Sequence, residues 1–502
     1  MLLDAVATFA LRTPQALACV DLESDRRWNY HQFDRDINRL ANFLVARLGA
    51  ASCKRVASIA RNRAELIMLY LACARAGAIY VPCNWRLAEK EIELILEDAE
   101  PELIVCDAEF RPSDTRITAI ATDDLLTLAK KYSEVLSAES RRPPEETTLL
   151  LYTSGTSGLP KGVKISELNA FWSQQAFNSG NEVGADSIFL CDMPLFHTAG
   201  LLANTRAPLQ AGGAVLISRG FDEANTFAHL SDSKLPVSHY FSVPQMARRL
   251  WDYAGFDPEK LRHLRVYATG GAPNPQSLIE RFIDAGVPMS NGFGMTETGS
   301  VSGMPLHNLP HIFQKCGCAG APYFGVELRV TDERGKALPV DNIGELWVRG
   351  PGVTSGYWNQ PEKTELAFAY DWFKTGDMAR LDQDGYLFIV DRKKDMFISG
   401  GENIYSAELE AVITELNGVA EVAVIGLPDA QWGEIGVAAI VAKPGVNLAG
   451  QEVERHCRAR LAAYKVPKKI LLVKQLPYTS SGKIQKHLLR DMLAQSVHGS
   501  LN

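Results

Sequence analysis

The 502-residue sequence lacks the features that mark disulfide-rich and zinc-binding proteins. Its nine cysteines are scattered singly, with no CxxC pair and no histidines at ligand spacing beside them. This excludes a disulfide framework and a structural zinc site. Cys316 and Cys318 lie close in sequence, but no second pair completes a tetrahedral set of ligands. We therefore expect reduced thiols and a cytoplasmic protein.

Signals for export, membrane insertion and nucleic-acid binding are also missing. The first residues carry Asp4 and no early Lys or Arg, so we interpret them as a helix leading to Pro14 and not as a signal peptide. No apolar run reaches the roughly 18 residues that span a bilayer. The formal net charge of −7 argues against a nucleic-acid-binding surface. We expect small-molecule partners, and the oligomeric state stays open, with a homodimer among the alternatives.

The order of apolar segments predicts an α/β fold with more than one domain. A chain of this length exceeds what one hydrophobic core normally supports. Helix 33–48, strand 55–59 and helix 64–76 alternate in the way that produces a mostly parallel sheet with helices on both faces. Short strands with turn signals between residues 316 and 356 predict a small β-rich subdomain. We place an N-terminal domain at 1–391, a hinge at 392–396 and a small α+β C-terminal domain at 397–502.

The strongest motif is a loop that follows an apolar strand, LLLYTSGTSGLPKGVK at residues 149–164. Gly155 and Gly158 let the backbone turn its amides toward an anion, and Lys161 adds positive charge. The loop also contains the hydroxyl donors Thr153, Ser154, Thr156 and Ser157. Its spacing does not match GxxxxGK[ST], because no Ser or Thr follows the lysine. The composition of the loop predicts phosphate binding.

This loop resembles the phosphate loop of the adenylate-forming superfamily, which contains acyl-CoA synthetases, the adenylation domains of peptide synthetases and firefly-type luciferases. The resemblance continues in the family's order over almost the whole chain. The further motifs are PLFHTAG at 194–200, TGGAP at 269–273, NGFGMTET at 291–298, GELWVRGP at 344–351, KTGD at 374–377, DRKKDMFISGGENIYSAELE at 391–410 and YTSSGKIQK at 478–486. It implies a large N-terminal domain that binds ATP and carboxylate, and a mobile C-terminal domain that carries a catalytic lysine.

The resemblance assigns most of the nucleotide site to the NGFGMTET and TGGAP motifs. It implies that Thr296 contacts the α-phosphate and that Glu297 holds Mg²⁺, which prefers oxygen ligands. Phe293 offers a face for adenine, where many members carry Tyr. The remaining residues that it assigns to nucleotide binding in these motifs are Gly270, Gly271, Ala272, Asn291, Gly292 and Gly294.

The resemblance assigns further roles to the C-terminal part. Asp377 and Arg392 are expected at the ribose, and Lys483 is expected to bridge the substrate carboxylate and the α-phosphate as the catalytic lysine. Gly400 and Gly401 mark the passage for the coenzyme A thiol arm. Outside the C-terminal part, His197 in PLFHTAG is a further candidate catalytic residue, besides Lys483, Thr296 and Glu297.

These assignments predict an acyl-CoA synthetase that uses ATP, Mg²⁺ and coenzyme A. An enzyme that loads a separate phosphopantetheine carrier protein, a non-enzymatic nucleotide-binding regulator and a luciferase-like oxygenase are the alternatives. The sequence contains no GxSxG motif, so it gives no indication of a protein nucleophile. The substrate is expected to be a medium-chain aliphatic or an aromatic acid. The candidate residues for its pocket are His197, Phe241, Thr269, Asn291, Met295 and Met304.

Overall fold

The chain forms two compact units, Met1–Leu328 with Val348–Phe373, and Arg329–Trp347 with Lys374–Asn502. The computed structural model describes residues 4–49, 53–112, 117–136, 143–153, 160–272, 274–306, 309–429, 431–478 and 484–498. Within these ranges, no helix has the length and hydrophobicity needed to cross a bilayer. The hinge at 392–396 stays a prediction.

The first unit contains two sheets and the helices that cover them. Its strands are β1 (Leu17–Asp21), β2 (Arg26–Asn29), β3 (Arg55–Ile59), β4 (Ile79–Pro82), β5 (Leu103–Cys106), β6 (Thr118–Ala121), β7 (Thr147–Thr153), β8 (Lys161–Ser166), β9 (Ile188–Cys191), β10 (Ala214–Ile217), β11 (His239–Ser242), β12 (Val266–Thr269), β13 (Met289–Met295), β14 (Gly299–Gly303) and β15 (Ala321–Pro322). Its helices are α1 (Ala5–Arg12), α2 (Tyr30–Leu48), α3 (Ala64–Ala76), α4 (Glu89–Ala99), α5 (Leu125–Ala129), α6 (Glu167–Gly180), the π-helix Ala199–Arg206, α7 (Ala207–Ala211), α8 (Glu223–Leu230), α9 (Pro244–Asp252), α10 (Gln276–Asp284), α11 (Leu309–Gln314) and α12 (Pro361–Ala367).

The larger sheet has the order β15-β14-β13-β12-β11-β9-β10-β1-β2. The strands from β13 to β1 are parallel, while β2, β14 and β15 are antiparallel at the edges. From β9 the chain crosses to β10 on one side, and from β10 it returns to β11 on the other side of β9. This reversal is the topological switch point, where α/β sheets bind ligands beyond the carboxyl ends of the strands.

The smaller sheet has the order β6-β5-β3-β4-β7-β8, parallel except for β8. Side chains of α2 and α3 pack into one core with residues of both sheets. The sequence of α3, AELIMLYLACARA, has no polar face because the helix is buried on nearly all sides.

The later part of the chain is richer in antiparallel strands. The elements are β16 (Glu327–Thr331), β17 (Gly344–Arg349), β18 (Phe368–Ala369), β19 (Trp372–Leu381), β20 (Leu387–Arg392), β21 (Phe397–Ser399), β22 (Glu402–Ile404), β23 (Val419–Asp429), β24 (Gly433–Ala442), β25 (Lys469–Leu472), α13 (Ser406–Thr414), α14 (Gly450–Arg458) and α15 (Lys486–His498). One sheet runs β16-β17-β19-β18 with β20 on β19, and the other runs β22-β21-β24-β23 with β25 on β24. The predicted α/β class, with its β-rich and α+β parts, is confirmed.

Candidate active site

The phosphate-loop motif lies on the β7–β8 hairpin at the edge of the smaller sheet. The antiparallel register places Thr153 opposite Lys161. The predicted phosphate-binding residues Ser154, Gly155, Thr156, Ser157 and Gly158 lie outside the described residues. The hairpin therefore brings together the two described ends of the motif, a hydroxyl and an ammonium.

Lys161 and Glu297 meet at one aromatic side chain, Tyr357. The Tyr357 hydroxyl donates a hydrogen bond to Oε1 of Glu297 at 3.2 Å, and the Lys161 ammonium lies 5.2 Å from the centroid of the Tyr357 ring. Burial, and then the charge of Glu297, raises the pKa of Tyr357, so the phenol keeps its proton and donates. The fold thus groups the phosphate-loop lysine with the carboxylate expected to hold Mg²⁺.

The surroundings of Glu297 suit a magnesium ligand. Its backbone carbonyl accepts a hydrogen bond from the Thr354 amide at 2.7 Å, which fixes the turn. Its side chain is only partly buried. Mg²⁺ typically takes one or two carboxylates and completes its shell with phosphate and water oxygens. These surroundings fit the ion, and Glu297 stays its predicted ligand.

Thr296 and Glu297 occupy the turn between β13 and β14. The Thr298 hydroxyl accepts a hydrogen bond from the Met295 amide at 3.2 Å and so holds this turn. Both candidate residues are partly exposed, which leaves their side-chain oxygens accessible to a ligand.

Gly292 and Gly294 of β13 are also required by the packing of β13 against β14. A Cβ added at Gly292 would lie 2.8 Å from the Ser302 carbonyl oxygen, and one added at Gly294 would lie 2.5 Å from that of Gly299. Both contacts are too short, so only glycine lets β14 approach this closely. Phe293 stands between them and is partly exposed, as a stacking surface requires.

Gly270, Gly271 and Ala272 of TGGAP directly follow β12 and lie beside this hairpin. A Cβ on Gly270 would lie 3.0 Å from the Gly292 carbonyl oxygen and 3.3 Å from the Phe241 ring. Gly271 has φ +79°, a left-handed conformation that favours glycine. Gly271 and Ala272 are exposed. The segment therefore forms a thin backbone wall next to β13.

His197 lies just before the π-helix at the carboxyl end of β9. Its ring lies edge-on to the Phe196 ring, with the ring centroids 4.6 Å apart. Its backbone carbonyl accepts a hydrogen bond from the Leu201 amide at 2.9 Å. A Cβ on Gly200 would lie 2.1 Å from the Pro194 carbonyl oxygen, so the tight turn of PLFHTAG depends on that glycine. His197 is partly exposed at the switch point.

The candidates for the acid pocket divide into two groups. The Thr269 hydroxyl donates a hydrogen bond to the Ser290 carbonyl at 2.9 Å and accepts one from the Asn274 side chain at 2.7 Å. The Met304 side chain is buried and contacts Cys318. These two side chains are committed to internal contacts. The partly exposed candidates are His197, Phe241, Asn291 and Met295.

In the second unit, the structure pairs the two residues expected at the ribose. Asp377 and Arg392 are opposite each other in the β19–β20 register. The Arg392 Nε lies 2.6 Å from Oδ1 of Asp377, and Asp377 is only 2% exposed while the arginine side chain is 41% exposed. The aspartate is therefore held in place by a partner that reaches solvent.

Gly400 and Gly401 form the turn between β21 and β22. Their φ angles are +61° and +86°, which suits a tight hairpin with glycine at both central positions. A Cβ on Gly400 would lie 3.0 Å from the Trp432 ring. Lys483 lies outside the described residues, so its role stays a prediction.

Tyr357 was missed by sequence analysis. It belongs to none of the motifs quoted above and is separated from Glu297 by 60 positions. The only local signal is an aromatic pair, Tyr357 and Trp358, just past GELWVRGP.

A buried carboxyl near the site gives a pH-dependent prediction. Asp192 follows β9 and accepts hydrogen bonds from Thr226 and Tyr240 at 2.8 and 2.9 Å. Burial nevertheless raises the pKa of Asp192 to about 7, against about 3.9 in an unfolded chain. Between these values the folded protein keeps a proton that the unfolded chain has lost, so stability falls as the pH rises toward 7.

We expect Asp192→Asn to unfold at a higher temperature than the wild type at pH 8, with a smaller difference at pH 5. Because the unfolding entropy of so long a chain is large, the gain should be roughly 1–2 °C for each kcal/mol of the removed penalty. Thermal melts of both proteins at each pH measure it. Comparison at equal pH cancels other groups, such as the buried His239, whose pKa burial lowers to about 4. The exposed Asp252→Asn serves as control, and equal gains at both pH values would contradict the prediction.

Comparison with known proteins identifies the family. A model described as AMP-binding enzyme matches residues 6–358, and one described as AMP-binding enzyme C-terminal domain matches residues 408–483. A feruloyl-CoA synthase of Amycolatopsis sp is 36% identical over 467 residues, covering 92% of this chain and 93% of the relative. A long-chain-fatty-acid–CoA ligase of Mycobacterium tuberculosis is 33% identical over 497 residues, covering 97% of each.

Solved structures agree with these matches. ATP-bound MatB from Rhodopseudomonas palustris matches with a TM-score of 0.91 at 32% identity, covering 98% of this chain and 99% of that one. O-succinylbenzoate coenzyme A synthetase from Bacillus subtilis, in complex with ATP and magnesium ion, matches with a TM-score of 0.87 at 29% identity, covering 98% and 99%. The family expected from the motifs is confirmed, and the chain belongs to the AMP-binding enzymes.

Proposed function

We propose that this chain is an AMP-forming acyl-CoA synthetase that acts on an aromatic or a medium-chain aliphatic acid. The observation that carries the proposal is the grouping of Lys161, Tyr357 and Glu297 beside Thr296. It combines a cation for phosphate, an oriented carboxylate for Mg²⁺ and a hydroxyl for the reacting phosphate. The relatives named as CoA ligases support the same chemistry.

In the first step, a carboxylate oxygen of the acid attacks the α-phosphorus of ATP. The bond from that phosphorus to the bridging oxygen breaks, and pyrophosphate leaves. Two anions approach each other, so Lys161, Lys483 and the amides of the phosphate loop would offset the developing charge. When bound, Mg²⁺ would neutralise part of the phosphate charge. Thr296 would donate to the α-phosphate.

In the second step, the thiol sulfur of coenzyme A attacks the acyl carbon. The carbon–oxygen bond to AMP breaks, the thiol proton is released and AMP leaves. A mixed anhydride has a far better leaving group than a free carboxylate, so no protein nucleophile is required. Gly400 and Gly401, an exposed turn without side chains, would let the narrow thiol arm pass close to the backbone.

The nucleoside is assigned to three side chains. Phe293 would stack on adenine, while Asp377 would accept hydrogen bonds from the ribose hydroxyls. Arg392 already contacts Asp377, so it would both position that carboxylate and reach the ribose itself.

The test is a panel of carboxylic acids scored by pyrophosphate release, with and without coenzyme A. We expect acid-dependent pyrophosphate release, and AMP release that accelerates when coenzyme A is added. A phosphopantetheine carrier protein as the only productive acceptor would instead favour the carrier-loading alternative. If no acid on the panel released pyrophosphate, the proposed function would have to be given up.

A further inference from the structure

The crevice at the switch point between β9 and β11 contains an incompletely paired strand end. β11 pairs with β9 only through His239 and Tyr240. The next residue, Phe241, lies beyond the last pair, so its carbonyl faces no β9 partner in that ladder. A side chain fills this place: Nδ2 of Asn204 donates to the Phe241 carbonyl at 3.3 Å.

The other end of the Asn204 amide is unused. Asn204 is 0% exposed, and its Oδ1 accepts no hydrogen bond from any residue that the structure describes. A buried acceptor left unsatisfied costs about 1–3 kcal/mol. A protein keeps such a group when a ligand donates a hydrogen bond to it. It also keeps the group when the hydrogen bond that the amide nitrogen donates, here to Phe241, stabilises the fold by more than this cost.

The segment that carries Asn204 is a π-helix, Ala199–Arg206, which begins two residues after His197. The π-helical geometry is rare and occurs frequently at functional sites. In it, the Thr205 hydroxyl donates back to the Leu201 carbonyl. The segment that follows β9 at the switch point therefore has a local geometry that differs from that of an α-helix packed on a sheet.

Aromatic and apolar side chains pack near the strand end that Asn204 contacts. The Phe241 ring lies 6.3 Å from the Phe177 ring in an edge-on contact and is also close to the backbone of Gly270. Phe177 and Ala203 belong to the same apolar cluster. An aromatic acid that reaches this strand end would meet aromatic edges and bare glycine backbone, and the Asn204 oxygen would be its polar acceptor.

We propose that Asn204 is a specificity-determining residue whose amide oxygen accepts a hydrogen bond from a hydroxyl group at the far end of an aromatic acid. This inference rests on the proposed function and narrows its substrate class. A site built to bind a hydroxyl group rejects the analogue that lacks it far more strongly than an apolar pocket rejects an extra hydroxyl. The enzyme therefore selects hydroxylated aromatic acids over their unsubstituted analogues.

The experiment compares cinnamate and 4-hydroxycinnamate, together with phenylacetate and 4-hydroxyphenylacetate, by kcat/KM for pyrophosphate release. The wild type should prefer the hydroxylated member of at least one pair by about tenfold or more. Asn204→Leu should abolish that preference while retaining or improving activity on the unsubstituted acid. Asn204→Ala provides the same comparison if the leucine variant does not fold, and the exposed Asn225→Leu is the control.

The outcomes separate this inference from the proposed function. Pyrophosphate release with any acid supports the synthetase, whatever the ratio within a pair. An unchanged hydroxyl preference in both Asn204 variants, or a wild type that discriminates in no pair, overturns the role of Asn204. A lower melting temperature with an unchanged ratio would show that Asn204 only ties the π-helix to β11, which also overturns it.

Discussion

Lys483→Ala is expected to slow acid-dependent pyrophosphate release by about 10²–10³-fold, the effect typical of losing one preorganised group that stabilises developing charge. The resemblance places this lysine between the attacking carboxylate and the α-phosphate, where two anions meet. The second step brings a thiol to a neutral acyl carbon and does not need that bridge. Thioester formation from preformed acyl-adenylate should therefore stay close to the wild-type rate.

The two half-reactions are measured separately, the first by pyrophosphate release and the second by thioester formation from synthetic acyl-adenylate and coenzyme A. Lys443→Ala is the matched control, since Lys443 is an exposed lysine of the same unit and belongs to none of the motifs. Equal losses in both half-reactions would refute the division of labour between the steps.

Much of the fold followed from the sequence because buried parallel strands are short apolar runs between helices. The predicted strand 55–59 and helix 64–76 match β3 and α3. The observed boundaries differ from the predicted ones where polar residues extend an element. β7 begins at Thr147, two residues before the predicted start at 149, because backbone pairing with β8 continues past the apolar run.

The site was predictable only where its residues lie within motifs. The pairing of Asp377 with Arg392 follows from a strand register that the spacing of KTGD and DRKK does not reveal. Contacts made by residues outside the motifs are tertiary: Tyr357 reaches Glu297, and Asn204 reaches a strand 37 positions away. Thr269 shows the converse, because its place in the TGGAP motif suggested a ligand contact, while its hydroxyl donates a hydrogen bond to the Ser290 carbonyl inside the sheet.

Glu297→Gln is expected to lower the rate of adenylation by about 10²–10³-fold and to raise the Mg²⁺ concentration needed for half-maximal activity. The amide keeps the size of the side chain but removes the negative charge that would bind the cation. Glu362→Gln, an exposed change on α12 in the same unit, is the control. An unchanged Mg²⁺ dependence in Glu297→Gln would exclude Glu297 as the metal ligand.

Tyr357→Phe tests how Glu297 is positioned, since it removes the hydroxyl but keeps the ring face on which Lys161 rests. Loss of one hydrogen bond to a charged group corresponds to about 1.5–3 kcal/mol, so adenylation should slow by roughly 10- to 100-fold, with a higher Mg²⁺ requirement. If Tyr357 acts through Glu297, adding Tyr357→Phe to Glu297→Gln should cost little more. Additive losses in the double variant would mean instead that the tyrosine contacts the substrate independently.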